Sequence, residues 1–212
     1  MEIKEIFKRV DLTLLSIMSS EKQIAELCEK AVELEAASVC VPPCYVSLVK
    51  ELYGEGLKVC TVVGFPNGYG TTEAKCAEAA EAIRNGADEV DMVINLCYLK
   101  DKKYGLILDE IRRVKSVCGD IILKVIIETC LLTEEEKIVM CGLVSDSGAD
   151  YIKTSTGFSK AGATSDDIRL MRKHCAPHIR IKASGGIRSI YKAEVMLLSG
   201  ADRIGTSGLK DE

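Results

Sequence analysis

One four-residue turn recurs three times in the chain, as Asn85-Gly86-Ala87-Asp88, Ser147-Gly148-Ala149-Asp150 and Ser199-Gly200-Ala201-Asp202. Each copy stands between a helical pattern and a short apolar run. The glycine suits the left-handed position just past a helix, where a Cβ is penalised. One helix-to-strand connection used repeatedly means that helices and strands alternate, and strands joined through helices run parallel.

Short apolar runs read as strands at Asp11–Leu14, Ser38–Val41, Lys58–Val63, Glu89–Ile94, Ile121–Ile127, Tyr151–Lys153, Ile179–Ala183 and Arg203–Gly205. Helical patterns lie at Glu2–Arg9, from Ser20 to Leu34, Tyr45–Tyr53, from Thr71 or Thr72 to Asn85, Lys103–Cys118, from the capping box Thr133-x-x-Glu136 to Ser145, Ser165–His174 and Ser189–Leu198. Strict alternation with eight strands predicts a (β/α)8 TIM barrel, one domain over residues 1–212. A doubly wound sheet is the runner-up, but it calls for a glycine-rich turn after the first strand, and none is there. The chain stops five residues after Ser207, so the eighth helix is expected to be missing or truncated and one apolar flank uncovered. A second copy would cover it, giving a homodimer, unless the chain is a truncated one.

Composition excludes several classes. A net charge of −4 with no Trp offers neither a basic footprint nor stacking platforms for nucleic acid. No apolar run is long enough for a membrane span and the amino terminus lacks an apolar signal region, which predicts a cytoplasmic protein. The ten cysteines sit largely in apolar runs and form no Cys-x-x-Cys, so reduced thiols are expected rather than a disulfide scaffold. No metal site is expected. Cys40 and Cys44 have no matching second pair, and His174 and His178 flank a helix end away from any strand terminus.

The chemistry-bearing stretch is Tyr151-Ile152-Lys153-Thr154-Ser155-Thr156-Gly157-Phe158. A lysine ends a buried strand there. Its amine must be neutral or paired, unless it simply snorkels to solvent. Side chains alternate along strands. That parity sends Asp91, Val93 and Asn95 into the lumen from one strand, Lys124 with Ile126 and Glu128 from the next, and Arg180 with Lys182 from another. Asp11 and Cys40 can point inward from the first two. The inward set then holds Lys124, Lys153 and Lys182 with Asp11 and Asp91. Ion pairs filling a polar barrel core are the plain interpretation. The alternative is a nucleophilic amine, made so by crowding of like charge, beside a carboxylate that moves protons. Two glycine loops, Ser184-Gly185-Gly186-Ile187-Arg188 and Gly205-Thr206-Ser207-Gly208, follow the last two strands, where barrels of this kind cradle phosphate on backbone N–H groups.

Six motifs carry a family resemblance. They are Asp11-Leu-Thr-Leu-Leu, Val39-Cys-Val, Glu89-Val-Asp-Met-Val-Ile-Asn, Leu123-Lys-Val-Ile-Ile-Glu-Thr, Tyr151-Ile-Lys-Thr-Ser-Thr-Gly-Phe and Ile181-Lys-Ala-Ser-Gly-Gly-Ile-Arg. Over nearly its whole length the chain resembles the deoxyribose-phosphate aldolases, which are class I, imine-forming lyases of deoxyribonucleotide breakdown. The resemblance implies reversible cleavage of 2-deoxy-D-ribose 5-phosphate to acetaldehyde and D-glyceraldehyde 3-phosphate, with no cofactor. It implies Lys153 as the imine-forming residue, Lys182 as the second lysine that favours its neutral amine, and Asp91 as the proton-transfer carboxylate. Asp11 and Lys124 match supporting polar positions and Cys40 a cysteine lining the site. Gly157, Gly185, Gly186, Arg188, Gly205 and Ser207 match the phosphate region. The chain departs from many members at Leu12, where they carry His. Competing functions are another imine-forming sugar-phosphate lyase or transferase, a zinc-dependent aldolase, and a non-catalytic phosphosugar-binding barrel. Without a histidine ligand set, prolonged chelation is expected to leave turnover unchanged; activity lost on chelation and restored by zinc would overturn the metal-free assignment.

Overall fold

The computed structural model describes residues 1–210. Eight parallel strands close into a barrel in chain order: β1 (Val10–Thr13), β2 (Ser38–Cys40), β3 (Val59–Val63), β4 (Glu89–Val93), β5 (Ile122–Ile126), β6 (Tyr151–Lys153), β7 (Arg180–Ser184) and β8 (Arg203–Thr206), with β8 pairing back to β1. The helices are α1 (Ile3–Phe7), α2 (Glu21–Glu33), α3 (Val46–Tyr53), α4 (Thr72–Arg84), α5 (Leu96–Lys100), α6 (Tyr104–Cys118), α7 (Glu134–Ser145), α8 (Ser165–His174) and α9 (Ile190–Leu198). None is long and apolar enough to cross a membrane.

Helix starts follow the sequence chemistry. Ser20 and Thr133 form full capping boxes with Gln23 and Glu136, and Thr71, Thr164 and Ser189 each accept a hydrogen bond from a backbone N–H in the first turn. Outward-facing strand residues such as Leu12, Val90, Met92 and Ile181 are fully buried in the layer between barrel and helices. Leu12 therefore packs away from the lumen, and the departure at this position does not reach the barrel interior.

The repeated turn has a definite job. Gly86, Gly148 and Gly200 all adopt positive φ, and the alanine after each is buried. The aspartate then clamps the start of the preceding strand. Asp88 gives its N–H to the carbonyl of Val59 and takes the Val59 N–H on its carboxylate at 2.8 Å. Asp150 does the same to Leu123 at 2.9 Å, and Asp202 to Ile181 at 2.7 Å. A fourth copy is visible only in the backbone. Before β2, Glu35 occupies the glycine position with φ 54°, and Ala37 gives its N–H to the Val10 carbonyl but has no carboxylate to complete the clamp.

Four short elements go beyond the sequence expectation. The five-residue α5 and the 3-10 turns Pro43–Tyr45, Gly54–Gly56 and Thr129–Leu131 are too short to show a periodic pattern. Strand β4 ends at Val93, so Asn95 does not continue the lumen-facing series. Its side chain instead accepts from the Cys97 and Tyr98 N–H groups and caps α5. After β8, Ser207 to Lys210 contain no helix, and Lys210 forms a bridge to Ser189. Tyr191 and Leu198 on α9 are 69% and 75% exposed.

Glu35 carries a left-handed backbone without the freedom of glycine. That conformation costs an L-residue roughly 1–2 kcal/mol, while glycine loses about 0.5–1 kcal/mol in unfolded-state entropy. Glu35→Gly is expected to stabilise the fold by about 0.5–1 kcal/mol, read as a higher urea midpoint at unchanged slope.

Candidate active site

Inside the barrel the side chains stack in layers. Glu89, Tyr151 and Arg203 occupy the layer at the strand starts, with the exposed Arg180 lying against the Tyr151 ring from outside. Asp11, Cys60, Asp91, Lys124 and Lys182 lie above them, and Lys153 stands at the end of β6 next to the open mouth. The guanidinium groups of Arg180 and Arg203 lie 4.2 and 5.7 Å from the Tyr151 ring centre, closing the bottom with cation–π contacts.

Asp91 is the hub. Its Oδ2 accepts from Lys153 Nζ at 2.6 Å and from Lys182 Nζ at 2.8 Å, and its Oδ1 accepts from Lys124 Nζ at 2.8 Å and from the Cys60 thiol at 3.2 Å. Lys182 also pairs with Asp11, which takes Arg203 at 2.5 Å on its other oxygen. Lys124 reaches Glu89 at 2.5 Å. Register produces this: Asp91 pairs with Lys124 across β4–β5, and Lys153 with Lys182 across β6–β7.

Burial alone would raise the Asp91 pKa, but Lys124, Lys153 and Lys182 outweigh it and hold the carboxyl well below the usual range. Burial likewise acts to discharge Lys124 and Lys182. The carboxylates around them win, and both are pushed above the ordinary lysine value. Burial raises the Cys60 thiol well above its normal pKa, so it remains a protonated donor. Cys40 is fully buried in a small cluster with Cys60 and Val62 rather than at the cavity wall.

Among the described residues two triads of ligand-type atoms converge within 4.8 Å, Cys40/Cys60/Asp91 and Asp11/Cys60/Glu89. The Lys124 ammonium already touches Asp91, Glu89 and, at 3.3 Å, the Cys60 sulfur. Its charge opposes a metal cation at the same place.

A cavity of about 210 Å³ opens above this layer. Lys153 is on its wall, whereas Lys124 and Lys182 are sealed beneath it with no exposed surface. Gly157, Gly185, Gly186, Arg188, Gly205 and Ser207 all line the same cavity. Two close approaches shape it. A Cβ on Gly162 would lie 2.1 Å from the Gly185 carbonyl oxygen, so the loops after β6 and β7 touch backbone to backbone. A Cβ on Gly205 would lie 3.1 Å from Lys182 Cε, so this glycine makes room for the lysine. The Arg188 side chain is exposed and pairs with no carboxylate among the described residues, and Lys192 on α9 donates to the Gly186 carbonyl at 2.8 Å.

A family model for the DeoC/LacD family aldolases matches residues 6–209. The chain belongs to this family of aldolases. The deoxyribose-phosphate aldolase of Clostridium botulinum is 51% identical over 203 residues, covering 96% of this chain and 92% of the relative. That of Clostridioides difficile is 50% identical over 207 residues, covering 98% and 94%. The tetrameric deoxyribose phosphate aldolase from Aeropyrum pernix superposes with a TM-score of 0.89 at 30% identity, over 97% of this chain and 88% of the other.

This aldolase holds several interior residues that strand parity reaches but the sequence interpretation passed over. Glu89 lies two before Asp91, Tyr151 two before Lys153, and Arg203 two before Gly205. Gly162 had no pattern to mark it.

The Asp91 pairing has a pH signature. A carboxyl with a depressed folded pKa adds stability above its unfolded value of about 4, and that stability is lost as pH falls through the folded value. Asp91→Asn is expected to cost on the order of 3–5 kcal/mol at pH 7 by leaving three buried ammonium groups short of a partner. The gap from wild type in urea unfolding should narrow as the pH is taken below about 4. A gap independent of pH would show that Asp91 is not held ionised.

Proposed function

We propose that this chain reversibly cleaves 2-deoxy-D-ribose 5-phosphate to acetaldehyde and D-glyceraldehyde 3-phosphate through an imine on Lys153, within one aldolase domain. One observation carries the choice of nucleophile. Of the three lysines around Asp91, Lys153 alone is on the cavity wall.

In this mechanism the neutral Lys153 amine adds to the substrate's C1 aldehyde, and loss of water gives the imine. The protonated imine accepts the electron pair of the C2–C3 bond as it breaks. The C3 hydroxyl loses its proton and becomes the aldehyde of D-glyceraldehyde 3-phosphate. The enamine left behind is reprotonated at C2. Water then hydrolyses the imine to release acetaldehyde and the lysine. Asp91 and Lys182 are assigned to the first and last steps. Lys182, held charged by Asp11 and Asp91, keeps a fixed cation across one oxygen from Lys153. When Lys153 gives up its own charge, Asp91 loses one of its three ammonium partners and its proton affinity rises, which suits it to carry protons at that moment. Asp11 and Lys124 keep this network neutral enough to stay buried, and Cys40 packs against it.

The glycine loops and Arg188 are assigned to the phosphate. The anion does not react. It anchors the sugar so that C1 meets Lys153, and such remote binding energy appears in kcat as well as KM.

Borohydride with acetaldehyde is expected to add a two-carbon group to Lys153, located by peptide mass mapping; an adduct on Lys124 or Lys182 would refute the assignment. Lys153→Arg should abolish turnover, because a guanidinium remains protonated. Unphosphorylated 2-deoxyribose should have a kcat/KM lower by ~10²-fold or more. Gly186→Val should weaken the phosphorylated sugar far more than the other; equal kcat/KM values for the two sugars would remove the phosphate site.

A further inference from the structure

Glu128, just past β5, is buried at 3% exposure and adopts a left-handed backbone with φ 54°. Two other non-glycine residues share such a φ among the described residues. They are Glu35 and Lys102, both exposed and both at helix ends. Glu128 thus combines two costs, a strained backbone and a buried carboxyl. No cation pairs with it among the described residues. Its partners belong to a single residue, Thr156: the hydroxyl at 2.5 Å, and the N–H at 3.3 Å from each carboxylate oxygen. Strain kept at one place for one local contact points to function.

The contact fixes a direction. Burial raises the Glu128 carboxyl, against the lowering pull of the Thr156 hydroxyl and N–H and of Lys153; in its ionised form the carboxylate only accepts, and the Thr156 hydroxyl then donates to Glu128. The Phe158 N–H donates to the same hydroxyl oxygen at 3.1 Å. A hydroxyl has one donor and two acceptor sites. The donor and one acceptor site are used, and one acceptor site remains. Thr156 lines the cavity between Lys153 and Gly157, on the wall separating the proposed imine from the proposed phosphate region.

We infer that Glu128 is a positioning residue that locks the Thr156 hydroxyl as a hydrogen-bond acceptor for the substrate hydroxyl lying between the reacting carbon and the phosphate. This rests on the reading above that the cavity takes a phosphorylated hydroxyaldehyde. With Glu128 in place, Thr156 presents one fixed lone pair to an incoming O–H. Without it, the threonine hydroxyl rotates and its preference is lost. Glu128 itself touches no substrate atom.

The condensation direction tests this with two acceptor aldehydes that differ by one oxygen, D-glyceraldehyde 3-phosphate and 3-oxopropyl phosphate, each with acetaldehyde. The wild-type enzyme should favour the hydroxylated acceptor by about tenfold or more in kcat/KM. Glu128→Leu should lower kcat/KM for D-glyceraldehyde 3-phosphate about tenfold while leaving 3-oxopropyl phosphate within about twofold. Glu128→Gln keeps an acceptor oxygen in place and should restore most of the preference. Glu128→Asp keeps the charge but is too short to reach Thr156, and should behave like Leu. If Glu128→Leu does not fold, the opposite behaviour of the Gln and Asp variants carries the same test. A parallel fall for both aldehydes would make Glu128 a plain support for the loop, and an unchanged ratio in the Asp variant would refute the inference outright. If wild type condenses neither aldehyde, yet acetaldehyde and borohydride still label Lys153, the substrate assignment has failed and the proposed role of Glu128 fails with it.

Discussion

A single buried carboxylate inside the barrel holds three ammonium groups, and much of the interior is arranged around that fact. An isolated buried Asp91 would lose its charge, and an isolated buried Lys124 or Lys182 would do the same. Together, with Asp11, Glu89 and Arg203, they stay ionised. Lys124, Lys182 and Arg203 each meet two or more carboxylates, and Lys153 shares its one, Asp91, with both other lysines, so removing any single member leaves an uncompensated charge in a dry space. That interdependence makes the cluster expensive to assemble and resistant to disturbance once formed. It also means that the state of the member on the cavity wall, Lys153, is felt by the other two lysines through a common pair of oxygens.

The scaffold makes such a cluster feasible because parallel strands in register bring alternate residues to one height. Asp91 and Lys124 are direct partners, as are Lys153 and Lys182. Small residues complete the fit, with Gly205 leaving space for the Lys182 stem and Cys60 filling the gap between Asp91 and Lys124. Above this level the wall is largely loop backbone. The charged cluster is thus placed on strands, where position is rigid, and the cavity above it is placed on glycine turns, where backbone can come close.

Much of this was legible in the amino-acid order. The reused Gly-Ala-Asp turn announces a β/α alternation, and parity within strands brings Asp11, Asp91, Lys124, Lys153 and Lys182 to one interior. Parity failed at Asn95 because it was carried two residues beyond the end of β4, where a helix cap takes over. Cys60 reads as a small apolar residue in an apolar run, and nothing local says that its thiol faces a carboxylate. Glu128 too lies two residues past its strand, where parity no longer applies, and a left-handed glutamate has no sequence mark, since its partner Thr156 comes from the loop after β6. Gly162 is likewise defined only by the backbone of a loop distant in sequence.

The aspartate clamps occur before β4, β6 and β8 and tie β3 to β4, β5 to β6 and β7 to β8. A weaker backbone copy ties β1 to β2. The helix-to-strand turns therefore group the barrel into four two-strand modules, three latched by an aspartate and β1–β2 by backbone alone, while the charged interior cluster ties one module to the next, as Lys124 does with Asp91 and Arg203 with Asp11. Circular permutation follows the same grain. New termini opened in the helix-to-strand connections before β3, β5 or β7 leave every latch within one continuous stretch of chain, whereas termini opened beside Asp88, Asp150 or Asp202 cut a module in two.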